Sequence, residues 1–194
     1  MSIERGKLIM ELLLIRHGEP TYEVVTKRCY KGHGRDLGPL TTLGIKQAKT
    51  VAQDKRLQGA EIIIASPYTR ALQTAAIISR ELDLDIIIEN DLHEWMPDLS
   101  FNYTDIEYEK SAGEELTKYQ GEHPKGEALL WEPLSKVADR AITCMKKYLN
   151  YKKVIVVAHG IVIRQFKFKK DIDYCEITEV NFDENFIWSG WIKH

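Results

Sequence analysis

The stretch Leu12-Leu13-Leu14-Ile15-Arg16-His17-Gly18-Glu19 joins four consecutive apolar residues to a cation, an imidazole and a glycine. Four apolar residues without alternation are typical of a strand that is buried on both faces of a parallel sheet. Such strands deliver side chains to ligands at their carboxyl ends, so Arg16 and His17 are candidates for a binding site. Gly18 has no Cβ, which predicts a sharp turn and a close approach of a ligand to the backbone.

Strand-like and helix-like segments alternate along the rest of the chain. Further apolar runs rich in Ile and Val predict strands at residues 62–65, 86–88 and 154–158. The intervening residues predict helices over residues 43–57, 68–82 and 134–149. Thr41-Thr42 is a capping signal for the first helix, and Pro67 and Pro133 mark the first turns of the others. Alternation of this kind predicts an α/β protein, a three-layer α/β/α sandwich with a mostly parallel central sheet.

Segment 98–125 differs from its surroundings because it mixes acidic residues, aromatic residues, glycine and proline. We interpret it as an insertion into a single domain spanning residues 1–194, and as a candidate lid over the site. Residues 174–191 mix β-branched and aromatic side chains, which predicts one more strand at a sheet edge. Met10 is a second candidate start, so we expect residues 1–9 to lie outside the fold.

The overall charge and the cysteines restrict the classes of function. The 27 Lys and Arg residues against 29 Asp and Glu residues leave a net charge of −2, without a positive surplus for nucleic acid or an anionic membrane. The N-terminal apolar run is too short to span a membrane, and we expect neither a signal peptide nor an anchor. Cys29, Cys144 and Cys175 form no CxxC pair, so we interpret them as buried apolar residues of a cytoplasmic protein.

A second imidazole, His159, follows the last of the four predicted core strands and precedes Gly160. Arg70 lies in the first turn of the helix that follows residues 62–65, and Glu94 comes shortly after the strand at 86–88. A guanidinium matches phosphate oxygens bidentately and keeps its charge. Two arginines, two histidines and a carboxylic acid at one sheet edge therefore predict a site for a phosphoryl group.

These side chains suit nucleophilic phosphoryl transfer without a metal. A neutral His17 would attack phosphorus, the arginines would hold the equatorial oxygens, and Glu94 would protonate the leaving alkoxide. We expect a backbone carbonyl to hold one ring nitrogen of His17. We also expect the neighbouring arginines to keep the pKa of His17 low enough for the neutral form.

Five segments resemble, in order, the histidine phosphatase superfamily that includes the cofactor-dependent phosphoglycerate mutases. They are LLLIRHGE at 12–19, LTTLGIKQA at 40–48, SPYTRALQTA at 66–75, LHE at 92–94 and VVAHG at 156–160. The resemblance implies a phosphoglycerate mutase-like fold, with His17 as the phosphorylated nucleophile and Glu94 as the proton donor. It also implies a phosphate pocket of Arg16, Arg70 and His159, and we place Gly160 beside them in the substrate site.

Three positions depart from the family pattern. Glu23 stands where the mutases have an asparagine that contacts phosphate, and Pro20 and Ala128 stand where many relatives have a hydroxyl. A carboxylate at position 23 would repel a phosphate unless it points away or Lys27 or Arg28 compensates. These departures leave the substrate undefined.

Other interpretations compete at single residues. A metal site would use His17, His33, His93 and His159, but their spacing fits no standard motif and two arginines would repel the ion. We interpret the glycine-rich loop around His33 as a surface loop without a role, rather than a cover for the pocket. His93 or Asp98 could replace Glu94 as the proton source. Four aromatic residues could line a wall for the leaving group or pack the insertion: Trp95, Phe101, Tyr103 and Tyr108.

The prediction is therefore a cytoplasmic, metal-independent phosphatase without a cofactor, which hydrolyses a small phosphomonoester through a phosphohistidine on His17. We expect no nucleic-acid or membrane partner, and the sequence is compatible with a homo-oligomer. The interval between Glu94 and His159 is shorter than in the mutases, which favours hydrolysis. Two alternatives stay open: a phosphomutase that needs a bisphosphate primer, and a non-catalytic phosphate-binding or interaction protein.

Overall fold

Strands and helices alternate along the chain in the computed structural model, which describes residues 9–103 and 106–190. The strands are β1 (Met10–Arg16), β2 (Ile62–Ala65), β3 (Ile86–Ile88), β4 (Lys153–Ala158) and β5 (Ile177–Phe182). The α-helices are α1 (Glu23–Lys27), α2 (Thr42–Val51), α3 (Thr69–Leu82), α4 (Ile106–Lys118), α5 (Leu134–Lys146) and α6 (Gly160–Phe166). Short 3₁₀ segments lie at Gly32–Leu37, Lys55–Leu57 and Asn90–Leu92.

The five strands form one sheet in the order β3-β2-β4-β1-β5. The pairs β1–β4, β2–β4 and β2–β3 are parallel, whereas β5 runs antiparallel to β1. The predicted mostly parallel sheet is therefore confirmed, and β5 is the edge strand expected from residues 174–191. Trp191, at the end of that expected segment, lies outside the described residues.

The two faces of the sheet carry separate apolar cores, because successive side chains of a strand point to opposite faces. In β1, Leu12 and Leu14 are buried in one core, whereas Leu13 and Ile15 are buried in the other. The helices α2 and α3 cover the second core, and α4, α5 and α6 cover the first. These layers are the α/β/α sandwich that the alternating pattern predicted.

Several local predictions were wrong. The helix expected over 43–57 ends at Val51 and is followed by a 3₁₀ turn, where the Asp54 side chain accepts from Arg56 N. The helices expected to begin at residue 68 and to end at residue 149 begin at Thr69 and end at Lys146. Ile88 is 55% exposed because β3 is an edge strand rather than a strand buried on both faces.

Segment 98–125 contains the helix α4, which its mixed composition did not indicate. Ala112 and Leu116, four residues apart on one face of α4, are buried in the first core. Cys144 and Cys175 are buried as expected, but Cys29 is exposed, since it follows the short surface helix α1. Residues 1–8 of the expected N-terminal extension lie outside the described residues. Within the described part of the chain, no helix is long and apolar enough to cross a membrane.

Candidate active site

Three neighbouring parallel strands end at the same edge of the sheet and bring the predicted side chains together. Arg16, the last residue of β1, pairs in register with Ala158 of β4, so His17 and His159 leave adjacent strand ends. The two imidazole ring centroids lie 5.1 Å apart. Ser66 follows β2 in the same way and lies beside His159.

His17 is 5% exposed, and both of its ring nitrogens have partners. Nδ1 lies 2.7 Å from the carbonyl oxygen of Gly18, which accepts the Nδ1 proton and leaves a lone pair on Nε2. Arg70 Nε donates to that Nε2 over 3.2 Å. Burial, followed by the charges of Arg70 and Arg16, lowers the pKa of His17 to about 3, so the imidazole is neutral near pH 7. Burial therefore lowers the pKa of His17 more than the two arginines do, whereas the sequence alone pointed to the arginines.

The fold itself requires a glycine at position 18. A Cβ at this position would lie 2.6 Å from the carbonyl oxygen of Gly44, in the first turn of α2. The Gly18 N–H also donates to the Thr74 hydroxyl on α3 over 3.0 Å. The backbone of α2 therefore lies close against Gly18, and the loop after β1 is held against α2 and α3.

Arg16 is fixed by contacts on one side and is unpartnered on the other. Its Nη1 donates to the carbonyl oxygen of Ile172 over 2.5 Å, and its guanidinium stacks 4.1 Å from the centroid of the Tyr174 ring. Its buried Nε has no hydrogen-bond partner among the described residues. A Cβ on Gly160, the first residue of α6, would lie 3.9 Å from this Nε, so Gly160 borders the same space.

His159 is fully buried and is oriented by Ser66. The Ser66 hydroxyl lies 2.7 Å from His159 Nε2 and also accepts from Tyr68 N over 3.3 Å. The hydroxyl proton is then free to point at Nε2, which places the imidazole proton on Nδ1. That Nδ1 is buried and, within the described residues, has no hydrogen-bond partner. Burial first, and then Arg70, lowers the pKa of His159, so its ring is neutral.

Among the described residues, the site therefore holds two buried donors without partners, Arg16 Nε and His159 Nδ1, next to an imidazole whose Nε2 lone pair accepts from Arg70. Buried donors in folded proteins are nearly always satisfied, and an orphaned one indicates a ligand or an ordered water. Two such donors beside the guanidinium of Arg70 favour an anion with several oxygen atoms.

Glu94 lies on the same hollow as Arg70, after the 3₁₀ turn that follows β3. Its Oε1 accepts from Trp95 N over 2.9 Å, and its Oε2 accepts from Ile161 N over 3.3 Å. Burial outweighs these hydrogen bonds and raises the pKa of the Glu94 carboxyl. A raised pKa increases the protonated fraction that a general acid needs.

His93 and Asp98, the two alternative proton sources, have lowered rather than raised pKa values. Burial lowers the pKa of His93, whose Nδ1 lies 2.7 Å from the carbonyl oxygen of Glu94. Asp98 is also buried, but hydrogen bonds from Ser100 and Asn102 outweigh that burial and lower the pKa of its carboxyl. Asp98 therefore acts as the acceptor of a tight turn, and Glu94 has the favourable pKa shift.

Arg140 holds the turn that presents Glu94, a role that the sequence did not indicate. Its Nη1 donates to the carbonyl oxygens of Asp91 and His93 over 2.6 and 2.8 Å. Its Nε pairs with the buried carboxylate of Glu132 over 2.7 Å. An ion pair of this kind, spanning α5 and the segment before it, positions the Glu94 backbone.

A small hollow next to Arg70 is the candidate space for the rest of a ligand. Its volume is about 30 Å³, close to the space that one or two water molecules occupy. Arg70 Nη1 and Asp36, which both line this hollow, form an ion pair over 3.0 Å, and the two side chains are 5% and 15% exposed. Tyr22 and Glu109 also line it.

The loop around His33 lines this hollow, as in the alternative interpretation of the loop as a cover for the pocket. His33 and Arg35 line the hollow, and His33 Nδ1 lies 3.1 Å from the Tyr68 hydroxyl. Of the four aromatic residues considered, Trp95, Phe101 and Tyr103 line the hollow, whereas Tyr108 lines a separate surface depression.

Comparison with known proteins identifies the family. The family model of the histidine phosphatase superfamily (branch 1) matches residues 12–185. The chain belongs to the histidine phosphatase superfamily. Members of this superfamily are phosphatases or mutases. Among the described residues, no group of three or more His, Cys, Asp or Glu side chains is arranged to hold a metal ion.

The superfamily assignment agrees with similar proteins of known sequence and structure. The "Probable phosphoglycerate mutase GpmB" of Enterobacter sp. (strain 638) is 27% identical over 205 residues, covering 95% of this chain and 91% of that protein. A mycobacterial glucosyl-3-phosphoglycerate phosphatase superimposes with a TM-score of 0.66 at 18% identity, covering 88% of this chain and 89% of that chain. An alpha-ribazole phosphatase from Shigella flexneri has a TM-score of 0.59 at 23% identity, covering 80% and 77%. The two structures establish a shared fold.

The most conspicuous departure from the superfamily pattern, Glu23, is turned away from the site. It lies on the surface helix α1, where its carboxylate is 69% exposed and pairs with Lys27 over 2.6 Å. Tyr22, one residue earlier, lines the hollow instead. The repulsion expected between residue 23 and a phosphate therefore does not arise in this structure.

Sequence reasoning missed the charged groups on the far side of Arg70: Arg35, Asp36 and Glu109. Arg35 and Asp36 had one usable signal, since two opposite charges follow Gly32-His33-Gly34 in a loop between two superfamily segments. Glu109 had none, because it lies in a run of helix-forming charged residues where any one of them could have faced solvent.

Proposed function

We propose that the protein is a phosphatase that hydrolyses a small phosphomonoester through a phosphohistidine on His17. The observation that carries this proposal is the pair of buried donors without partners among the described residues, Arg16 Nε and His159 Nδ1, beside a neutral imidazole whose unprotonated Nε2 faces the Arg70 guanidinium. The phosphoryl oxygens satisfy the donors, and the lone pair supplies the nucleophile.

In the first step, the Nε2 lone pair of His17 attacks phosphorus, and a P–N bond forms as the P–O bond to the leaving group breaks. Glu94 gives its proton to the leaving oxygen, so the product departs as a neutral alcohol and Glu94 becomes a carboxylate. Arg16, Arg70 and His159 hold the phosphoryl oxygens. Substrate binding separates Arg70 Nε from His17 Nε2, because both groups then face the phosphoryl group.

In the second step, water attacks the phosphohistidine. The Glu94 carboxylate accepts a proton from that water, the P–N bond breaks, and its electron pair returns to Nε2 of His17. Inorganic phosphate leaves, and both Glu94 and His17 regain their starting protonation states. The hydrogen bond from Nδ1 to the Gly18 carbonyl stabilises the positive charge that the ring carries while it is phosphorylated.

Hydrolysis is preferred over mutase action because a mutase must bind its substrate in two orientations. The hollow beside Arg70 is small and has unlike groups around it, with Asp36 on one side and Tyr22 on another. The phosphatases of similar fold are consistent with this preference. The phosphomutase remains the second candidate, since the curated relatives bear that name.

The setting we propose is the cytoplasm, with a small phosphorylated molecule as the partner and neither nucleic acid nor a membrane. The three cysteines are unpaired, which suits a reducing compartment. A homo-oligomer remains compatible with this proposal.

The test combines turnover with trapping of the intermediate. Wild type and His17→Asn are assayed for phosphate release from p-nitrophenyl phosphate in excess EDTA, and ³²P-labelled substrate is quenched with alkali to trap the acid-labile phosphohistidine. We expect EDTA-resistant release and label in the wild type, and neither in the variant. Release that EDTA abolishes contradicts the proposal. Movement of phosphate between two positions of phosphoglycerate, dependent on a bisphosphate primer and faster than hydrolysis, favours the mutase.

A further inference from the structure

The ion pair between Asp36 and Arg70 connects the phosphate pocket with the space for the leaving group. Arg70 is assigned above to the phosphoryl group, yet its Nη1 lies 3.0 Å from the Asp36 carboxylate. Asp36 is held by the short 3₁₀ segment Gly32–Leu37, next to His33. Because Asp36 and Arg70 line the same hollow and lie in direct contact, a leaving group that extends from a phosphate held by Arg70 lies next to Asp36.

Phosphate binding changes the surroundings of Asp36. When the Arg70 guanidinium turns its donors to the phosphoryl oxygens, Asp36 loses all or part of its charged partner. A carboxylate that is 15% exposed and keeps only the His33 imidazole, 3.3 Å away, as a partner gains from a new donor in the same hollow. The leaving group is the component of the complex that can supply one.

A second carboxylate, Glu109 of α4, lines the same hollow. Burial raises the pKa of Glu109, the charge of Arg35 lowers it, and the charge of Asp36 raises it. The charges of Arg35 and Asp36 therefore both act on the Glu109 carboxyl. Arg35 is buried, and its guanidinium lies 6.0 Å from the centroid of the Tyr22 ring. Once Arg70 is engaged with phosphate, the acidic side chains of Asp36 and Glu109 and the guanidinium of Arg35 remain around the hollow.

We infer that the substrate is the phosphomonoester of an uncharged or cationic alcohol, a polyol or an amino alcohol, whose hydroxyl or ammonium group donates to Asp36. A phosphorylated hydroxy acid is disfavoured, because its carboxylate would lie against Asp36 and Glu109. Like charges about 6 Å apart at an intermediate dielectric cost enough for at least a tenfold preference. This inference rests on the proposed function, since it assigns Arg70 to the phosphoryl group.

The test uses two substrates that differ in a single group. Glycerol 3-phosphate and 3-phosphoglycerate share their phosphate ester, but the second has a carboxylate where the first has a hydroxymethyl group. At pH 8, we expect kcat/KM for glycerol 3-phosphate to be at least about tenfold higher in the wild type. Phosphoethanolamine, which has a cationic leaving group, should be at least as good a substrate as glycerol 3-phosphate.

Two isosteric variants localise the effect. Asp36→Asn and Glu109→Gln should each reduce the preference for glycerol 3-phosphate severalfold, chiefly by improving 3-phosphoglycerate, because each variant replaces an acidic group beside its carboxylate with a neutral one. The matched control is Glu107→Gln on the same helix, whose carboxylate is 77% exposed and pairs with Lys110. It should leave the preference unchanged. Equal use of both substrates by the wild type, or a preference that Asp36→Asn leaves intact, overturns the inference.

Binding measurements can test the charge preference independently of the proposed hydrolysis. Calorimetry of the two ligands with His17→Ala measures their affinity ratio without turnover. If the wild type releases no phosphate from any of the esters but binds glycerol 3-phosphate at least tenfold more tightly, hydrolysis is wrong and the charge preference stands. If p-nitrophenyl phosphate is hydrolysed and 3-phosphoglycerate binds as tightly as glycerol 3-phosphate, hydrolysis stands and the preference is wrong.

Discussion

The two halves of the site are built differently. The phosphate half lies at the ends of β1, β2 and β4, where register in a parallel sheet places His17, Ser66 and His159 side by side. The leaving-group half consists of the loop Gly32–Leu37 and the segment before and within α4. Side chains at strand ends are held in a fixed arrangement that suits one reaction. Loops can vary in sequence, and so bind different ligands, without changing that arrangement. Under the proposed function, the first half determines the reaction and the second determines the substrate.

The largest expected difference is in kcat/KM, between alanine variants of two histidines, one in each half of the site. His159→Ala removes a fully buried donor from the phosphate half and should lower kcat/KM about a thousandfold. His33→Ala, on the exposed loop, should lower it less than about tenfold, because a substrate contact at the rim is worth little. Steady-state kinetics with p-nitrophenyl phosphate measure both. Equal losses would contradict the division of roles.

Glu94 lies where the two halves meet, and its contribution should depend on the leaving group. Glu94→Gln cannot donate a proton, so kcat/KM for an alkyl phosphate should fall about a hundredfold. The loss should be much smaller for p-nitrophenyl phosphate, whose leaving anion is stable without a proton. Parallel kinetics with both esters are the measurement. The same loss for both esters would indicate that Glu94 has a structural role instead.

The burial of the phosphate half should also appear in the pH dependence of stability. The pKa of His17 is about 3 in the folded protein and 6.5 in the unfolded chain, so the unfolded state binds the proton first as the pH falls. The stability that this difference contributes is complete above pH 6.5 and is lost as the pH approaches 3. Between pH 7 and pH 4 this amounts to roughly 2–3 kcal/mol.

Urea unfolding of wild type and His17→Gln at several pH values between 7 and 4 measures this term. The difference in unfolding free energy between the two proteins should change in favour of the variant as the pH falls. Taking the difference removes the contributions of carboxylates that both proteins share. Parallel pH profiles would contradict the low pKa assigned to His17.

The smallest effect is expected at Glu23, which belongs to neither half. Glu23→Asn breaks an exposed ion pair with Lys27, for which the expected loss of stability is under about 1 kcal/mol. Since the carboxylate points to solvent, kcat/KM should change less than about twofold. A large gain in activity would show that this carboxylate does reach the phosphate in solution.

The successes of sequence reasoning lie where a short segment contains both the element and its chemistry. The apolar run before Arg16-His17 and the run before His159 each specify a buried strand and the side chain that follows it. Because parallel strands align their carboxyl ends, the meeting of these side chains follows from local patterns alone. The superfamily segments add the same residues independently.

The failures lie where placement depends on contacts remote in sequence. Asp36 meets Arg70, 34 positions away, because the loop folds over α3. The helix α4 is stabilised by burying Ala112 and Leu116 against the sheet core rather than by a strong local pattern. The sequence predicted that the Glu23 carboxylate would repel a phosphate, but α1 directs this carboxylate to solvent.

By itself, the sequence determined the five strands, the helices α2, α3 and α5, the family, and the set of candidate phosphate-binding side chains, because each is encoded by residues close together in the chain. The tertiary structure decided three further properties: the depth of burial that lowers the pKa of His17, the hydrogen bond that orients His159, and the identity of the charges around the leaving group. Each depends on which remote atoms come within a few ångströms, since burial and electrostatics act through distance in space rather than separation along the chain.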